Sequence, residues 1–465
     1  MDINDRIHKF KMNGLNIVLD INSGSVHVFD DLSYDIADDA FFMDKNQIVE
    51  KYKSKYEPSK ILESYDEIKS IQTDGQLYTD SDYLNDISQN FDDYVIKALC
   101  LNVAHDCNLS CRYCFAQGGD FGGKRELMSF ETGQKALDFL ITSSGKRHNL
   151  EVDFFGGEPL MNFETVKKLV LYGDERASKS GKHFRWTITT NGVLLNDEIT
   201  DFINKHMDNV VLSLDGRKEI NDLNRPTLNS KGSYELTVPK FKKLVENRDK
   251  NKDYYIRGTF TRDNEDFSKD VLHFRELGFD SCSIEPVVDA NYNPYAIVPD
   301  DLPSIFEEYE ELAAKLAELR DFSMFHFEVD LTGGPCVIKR IRGCGAGSEY
   351  LAVTPSGDIY PCHQFVGEKK FLMGNINYET LSLPKDIINF FKSANIFTKK
   401  ACAKCWARYY CSGGCHSNAI KFNGDINTPY EIGCEMQKKR LECAIMIKAL
   451  RALEDAENME KASNE

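Results

Sequence analysis

The sequence predicts an α/β protein. Its centre is a parallel sheet curled into an open or partial barrel, with a small strand-rich module ahead and a cysteine-rich region behind. Three observations carry this reading. From residue 94, six apolar runs alternate with amphipathic segments, and repeated strand–helix units imply parallel strands with right-handed crossovers. Residues 6 to 31 instead hold short β-rich runs separated by Asn13-Gly14 and Asn22-Ser23-Gly24, both hairpin signals. Beyond Phe322 the regularity gives way to Gly, Cys and short hairpin signals.

In order, the first module reads as strands Ile7–Met12, Leu15–Asp20 and Ser25–Phe29. Helices over Leu32–Phe41, Lys45–Lys55 and Pro58–Ile71 complete a winged-helix-like unit ending near residue 90. The acidic, Asn-rich stretch Thr79–Asp93 reads as its connection to the next domain. The barrel strands are Val95–Val103, Leu150–Phe155, Phe184–Thr190, Val210–Leu214, Tyr254–Phe260 and Cys282–Val288. Between them lie helical patterns at Phe130–Ser143, Phe163–Lys179, Glu198–His206, Tyr234–Asn247 and Phe267–Leu277, with Leu302–Arg320 following the last strand. A closed eight-fold barrel would need two further units.

Composition narrows the function. A chain of 465 residues has room for two or three domains, and its 42% hydrophobic and 28% charged residues are those of an ordinary globular protein. The formal net charge of −17 argues against a nucleic-acid partner. No stretch is apolar for long enough to cross a bilayer, and Met1–Phe10 does not read as a secretory signal, so a cytoplasmic location is expected. In a reducing cytosol the 14 cysteines point to metal binding or catalysis.

The cysteines fall in two blocks. Cys107-x3-Cys111-x2-Cys114 follows the first barrel strand, at the carboxyl end of the sheet where α/β folds place their active sites. A 4Fe–4S cluster that only carries electrons takes four thiolates; three leave one iron open to a ligand. Tyr113 and Phe115 flank Cys114 and would shield a cluster. A zinc knuckle is the bland alternative, poorly served by three cysteines with no fourth ligand nearby.

This triplet after strand one resembles the signature of the radical S-adenosylmethionine superfamily. The resemblance implies a partial (βα)6 barrel whose open iron chelates S-adenosylmethionine and whose reduction yields a 5′-deoxyadenosyl radical. Gly156-Gly157-Glu158-Pro159, at the end of strand two, resembles the family's motif for the methionine amino group. Two glycines permit close backbone approach, and Glu158 can accept from an ammonium. Thr190 and Asn191 end strand three, Ser213 and Asp215 end strand four, and Arg225 follows, all suited to ribose or carboxylate contacts. Taken singly, each is an ordinary turn or cap residue. Glu285, after strand six, either bounds the substrate cavity or adenine site or is a buried structural carboxylate.

The second block comprises Cys344, Cys362, Cys402, Cys405, Cys411, Cys415 and Cys434. It resembles the SPASM extension of radical enzymes that modify peptides and proteins, with zinc sites as the alternative. That resemblance implies two auxiliary 4Fe–4S clusters, giving three in all. Cys402, Cys405, Cys411 and Cys434 would hold the distal one, and Cys344, Cys362 and Cys415 the proximal one. Cys336 is the candidate fourth proximal ligand; otherwise that iron is open to a substrate thiolate, which coordination would deprotonate. Cys100, Cys282 and Cys443 read as buried apolar residues.

The N-terminal module resembles a leader-peptide recognition element, which holds a peptide as an added strand; Ser25–Phe29 is the nominated edge. A structural extension packed on the barrel is the alternative. The stretches His8–Asp20 and Cys111–Phe121 resemble the six-cysteine-peptide (SCIFF) thioether maturases. The implied division is a recognition element over 1–90, a radical barrel over 91–325, a SPASM domain over 326–445 and a helical or disordered tail over 446–465. The implied activity is thioether formation in a cysteine-rich precursor bound through its leader, with flavodoxin or ferredoxin as reductant and an anaerobic setting. Two rivals stand beside it: an anaerobic sulfatase-type maturase making formylglycine, and a non-catalytic electron-transfer or zinc-scaffold protein.

Overall fold

The computed structural model describes residues 3–81, 95–332, 341 and 343–463. Strands β1 (Ile7–Met12), β2 (Leu15–Asp20) and β3 (Val26–Phe29) form an antiparallel sheet in that order. Asn13 and Gly14 both take positive φ, 48° and 77°, as a two-residue hairpin between right-twisted strands requires. Helices α1 (Asp31–Ala40), α2 (Lys45–Tyr52) and α3 (Pro58–Thr73) follow. The Asp30 side chain caps α1, Asp44 and Gln47 form a capping box on α2, and Pro58 opens α3 where its missing N–H costs nothing. Their apolar stripes bury Ile36, Ile48, Ile61 and Ile68 with Val18.

The second sheet has ten strands. β4 (Ala98–Ala104), β5 (Asn149–Gly156), β6 (His183–Thr190), β7 (Asn209–Ser213), β8 (Asp253–Phe260) and β9 (Ser281–Pro286) run parallel in chain order. The short β10 (Ser323–Met324) adds parallel to β9. At the other edge β11 (Tyr350–Val353) pairs parallel with β4, followed antiparallel by β12 (Asp358–Tyr360) and β13 (Gly374–Asn375). The cysteine-rich region therefore continues the barrel sheet. Glu285 lies within β9, one residue before its end, rather than after the strand.

Alternation sorts the barrel residues. Phe154, Trp186, Ile188, Leu212, Ile256 and Ile284 are fully buried in the apolar core. On the opposite face, Asp153, Phe155, Thr187, Thr189, Val211, Ser213, Thr259 and Glu285 are only partly buried. One face thus joins the core while the other lines a polar, accessible lumen.

The helix Glu431–Ser463 runs unbroken across position 445, so the described residues from 446 are helical and continue it. The run from Cys434 holds no Gly or Pro and is rich in Ala, Leu, Lys and Glu, which propagate a helix. This helix packs on Leu302–Glu318 and reaches the first module, where His8 Nε2 lies 2.9 Å from Glu442 Oε1. The His8 ring also stacks on Trp406 at 3.8 Å, and Arg408 donates to Asn22 at 3.0 Å. The 90/91 junction, most of the Thr79–Asp93 connection and Cys336 lie outside the described residues. Among the described residues, no helix is long and apolar enough to cross a membrane.

Candidate active site

The first cysteine loop leaves β4 and is tied down on two sides. The Glu158 N–H donates to the Asp106 carbonyl at 2.9 Å, and Gly157 N–H to the Ala104 carbonyl at 2.8 Å. Ser110 N–H donates to Pro226 O and Arg112 N–H to Asn224 O, at 2.8 and 2.9 Å, which clamps the loop to the segment after β7. Arg112 also pairs with Asp263 at 2.9 Å. Such a loop needs bare backbone beneath it. A Cβ on Gly157 would stand 2.2 Å from Asp106 O, and one on Gly119 would stand 2.9 Å from the Gly157 Cα.

Two of the three sulfurs lie among N–H donors. Leu109 N–H approaches Cys107 Sγ at 3.5 Å, Asn191 Nδ2 approaches the same sulfur at 3.8 Å, and Arg225 Nη1 lies 3.9 Å from Cys111 Sγ. Burial pushes the Cys107 thiol up to about 12 and Cys111 up to about 11, so both need metal to ionise near neutrality. Asn108 Nδ2, beside Cys107, is buried with no partner of its own. Three thiols on one loop, donors aimed at sulfur and an orphaned amide fit a cluster whose sulfurs accept hydrogen bonds.

The remaining strand-end residues form two buried hubs. Glu158 is fully buried and accepts from Leu160 N–H, Thr190 Oγ1 and Asn191 N–H at 3.0, 2.7 and 2.8 Å. Burial pushes its carboxyl up to about 7 against those three bonds. With these partners, Glu158 ties the ends of β5 and β6 together within the protein, so the backbone around Gly156-Gly157 is the surface left to meet a ligand. Asp215 is likewise fully buried, accepting from Tyr113 OH at 2.6 Å, Arg225 Nε at 3.0 Å and Thr259 N–H at 3.0 Å. Ser213 stands beside Arg257 in register, on the lumen face.

The structure gathers the second block into two groups by electrostatic neighbourhood. Cys415 raises the thiols of Cys344 and Cys362, Cys344 adds to the rise at Cys362, and Cys402, Cys405 and Cys411 act together on Cys434. Lys399, almost wholly buried, donates to Gly413 O at 2.8 Å, and its charge couples to thiols of both groups. Among the described residues no three metal-ligating side chains close on a single ion. A cubane spaces its ligands more widely, since each thiolate takes its own iron.

Asp153 escaped the sequence reading. The available signal was its place on the polar face of a period-2 run ending at Gly156. A groove of about 1300 Å³ along β3 is the second candidate surface. Val26–Phe29 forms one wall, Ile68 and Ile71 of α3 and Leu453 of the long helix give it apolar surface, and Glu67, Glu328 and Asp330 make it acidic.

Family models match two parts of the chain: a 4Fe-4S single cluster domain over residues 98–239 and SPASM, an iron-sulfur cluster-binding domain, over 344–406. The radical SAM cyclopropyl synthase TigE of Paramaledivibacter caminithermalis is 24% identical over 371 residues, 74% of this chain and 72% of that one. A cysteine-type anaerobic sulfatase-maturating enzyme of Clostridium novyi is 27% identical over 370 residues, 75% and 94% of the two chains. Among solved structures, anSMEcpe with bound AdoMet superposes with TM-score 0.63 at 21% identity, covering 77% of this chain and 100% of that one. Streptococcus suis SuiB bound to S-adenosylmethionine gives 0.52 at 16% identity, covering 93% and 100%.

The family models place iron–sulfur cluster domains at both cysteine blocks, on the fold of enzymes solved with S-adenosylmethionine bound. With the relatives, these matches support a radical S-adenosylmethionine/SPASM peptide maturase.

Proposed function

We propose that this enzyme forms thioether bonds within a cysteine-rich precursor peptide, joining a cysteine sulfur to a carbon of an acceptor residue, threonine being the acceptor the family resemblance suggests. The observation that carries the reading is the approach of the two cysteine blocks to one another. Phe115, next to Cys114, lies 5.5 Å from the ring of His363, next to Cys362.

In this reading Cys107, Cys111 and Cys114 hold the cluster that binds S-adenosylmethionine, with Gly156, Gly157, Asn191 and Ser213 lining its seat. Glu158, Thr190, Asp215, Tyr113 and Arg225 hold that seat in shape. When bound, this pair supplies a hydrogen-abstracting radical. Cys344, Cys362 and Cys415 take the proximal auxiliary cluster, and Cys402, Cys405, Cys411 and Cys434 the distal one. The chain's remaining task is to place the acceptor carbon and the sulfur together and keep water away.

The groove along β3 would take the leader as an added strand, since β3 is an edge strand with one side unpaired. Its acidic side chains favour a leader that alternates apolar with basic residues. This groove favours thioether chemistry over formylglycine formation, although sulfatase-maturating enzymes are among the relatives. It is also consistent with SuiB covering more of the chain than the sulfatase maturase does. A small flavodoxin or ferredoxin would be the reductant.

Two measurements test this. Anaerobically reconstituted protein should carry about 12 iron atoms, four for each of three clusters, and replacing Cys107, Cys111 and Cys114 by Ala should remove about a third of them. Zinc without iron would sink the assignment. Incubating the reduced enzyme and S-adenosylmethionine with cysteine-rich precursors should give a two-hydrogen mass loss per bridge that survives thiol reductants. Aldehyde formation would favour the sulfatase-type activity instead.

A further inference from the structure

The lumen holds two carboxylates in opposite surroundings. Glu285 lies 2.8 Å from His326 Nε2, 3.5 Å from Arg440 Nη1 and 3.8 Å from Arg257 Nη2. Burial would raise its carboxyl, but these three outweigh it and hold it well below the usual range. Asp153 has no such escort. It accepts from the Thr189 hydroxyl at 3.4 Å, and burial pushes it up to about 7 against Thr189 and the Arg257 charge. Two carboxyls driven apart by their environments commonly divide into a fixed charge and a proton carrier.

Position supports the division. Asp153 stands in register between Cys100 of β4 and Thr187 of β6, three residues before Gly156, so about 10 Å down the strand from the cysteine-loop end. On its β4 side lie Cys100 and Tyr350, whose hydroxyl is 3.2 Å from His363 Nδ1. Two residues along β5, the Phe155 ring lies 5.1 Å from His363 and 6.3 Å from Phe115. The groups facing Asp153 are thus Thr189, Cys100, Tyr350 and Arg257, with His363 beyond Phe155. A peptide side chain entering the lumen between the two cysteine trios would meet this carboxylate.

We propose that Asp153 is the general base that takes the proton from the peptide's cysteine thiol before sulfur bonds to carbon. The S–H bond breaks, an O–H bond forms on Asp153, and the sulfur keeps the electron pair. Nothing is oxidised or reduced in this step, and the proton leaves to water through the open lumen. The proposal rests on the thiol-peptide reading above.

The test uses the peptide converted in the mass assay, synthesised with perdeuterated threonine. In Asp153→Asn, deuterium transfer into 5′-deoxyadenosine should stay near the wild-type level, while crosslinking falls about 100-fold or more. Wild-type crosslinking should rise with pH through about 7, as Asp153 ionises; Asp153→Asn should lack that limb and Asp153→Glu should keep one. An Asn variant that crosslinks with the wild-type pH profile overturns the proposal and leaves the thioether reading intact. So does one that loses deuterium transfer and iron together, which would mark a structural role. Aldehyde as the wild-type product overturns the thioether reading and the proposal with it, because no sulfur–carbon bond then forms. Failure to turn over any cysteine peptide overturns both.

Discussion

Gly157→Ala is expected to abolish the loop cluster and S-adenosylmethionine cleavage while leaving both auxiliary clusters in place. Its φ is an ordinary one, so backbone strain is not the cause. The new methyl group would stand 2.2 Å from Asp106 O and 2.6 Å from its carbonyl carbon. That carbonyl accepts from Glu158 N–H, and Cys107 is the next residue. The methyl must therefore lift the loop off β5 and carry the first ligand with it. Loss of about 1 Å in placement costs a reaction roughly 100-fold, and a cluster lacking a correctly placed thiolate loses more. Iron content should fall by about one cluster in three, and cleavage of S-adenosylmethionine should fall at least about 100-fold. Gly181→Ala is the control: its φ of 66° is strained for alanine, but open space surrounds it. That variant should lose about 1–2 kcal/mol of stability and keep its iron. Full iron in Gly157→Ala would mean that the loop does not rest on this backbone.

Much of this architecture is legible in the residues because local rules agree there. Phe130–Ser143 and Phe163–Lys179 form as the periodicity predicts, the first opened by the Ser129 side chain on Thr132 N–H. The hairpin at Asn13-Gly14 and the buried Cys100, Cys282 and Cys443 follow equally local logic. Other features depend on distant pairing. Tyr350–Val353 is a four-residue run whose place beside β4 is set by partners some 250 residues away in sequence. Asp153 reads as a polar residue on an amphipathic strand until the sheet curls and gives that face a lumen. Glu158 and Arg225 show a further limit. Sequence position puts them near a ligand, whereas their hydrogen bonds put them to work on their neighbours: Glu158 on the ends of β5 and β6, Arg225 on Asp215. Spacing alone also does not divide the second cysteine block, because Cys415 lies four residues from Cys411 yet groups with Cys344 and Cys362.

Asp215→Ala should be the most damaging substitution for stability, at about 3–5 kcal/mol, because it leaves a buried charge without its partner. Asp215 is wholly buried and the Arg225 side chain is 13% exposed, so water cannot take over the lost contacts. The same carboxylate accepts from Tyr113, whose neighbours in sequence are Arg112 and Cys114, and from Thr259 on β8. Arg225 in turn approaches Cys111. The pair thus fastens the cysteine loop to two strand ends, and its loss should lower the unfolding midpoint in urea and the iron content of the loop together. Removing both charges separates these effects. Asp215→Leu combined with Arg225→Met leaves no unpaired ion, so roughly half or more of the lost stability should return. The Tyr113 anchor and the donor to Cys111 stay absent, and S-adenosylmethionine cleavage should remain abolished. Recovery of stability without recovery of cleavage would place the pair's work at the loop. If Asp215→Ala costs less than about 1 kcal/mol, the value of an exposed pair, the ion pair is not the fastening it is taken to be.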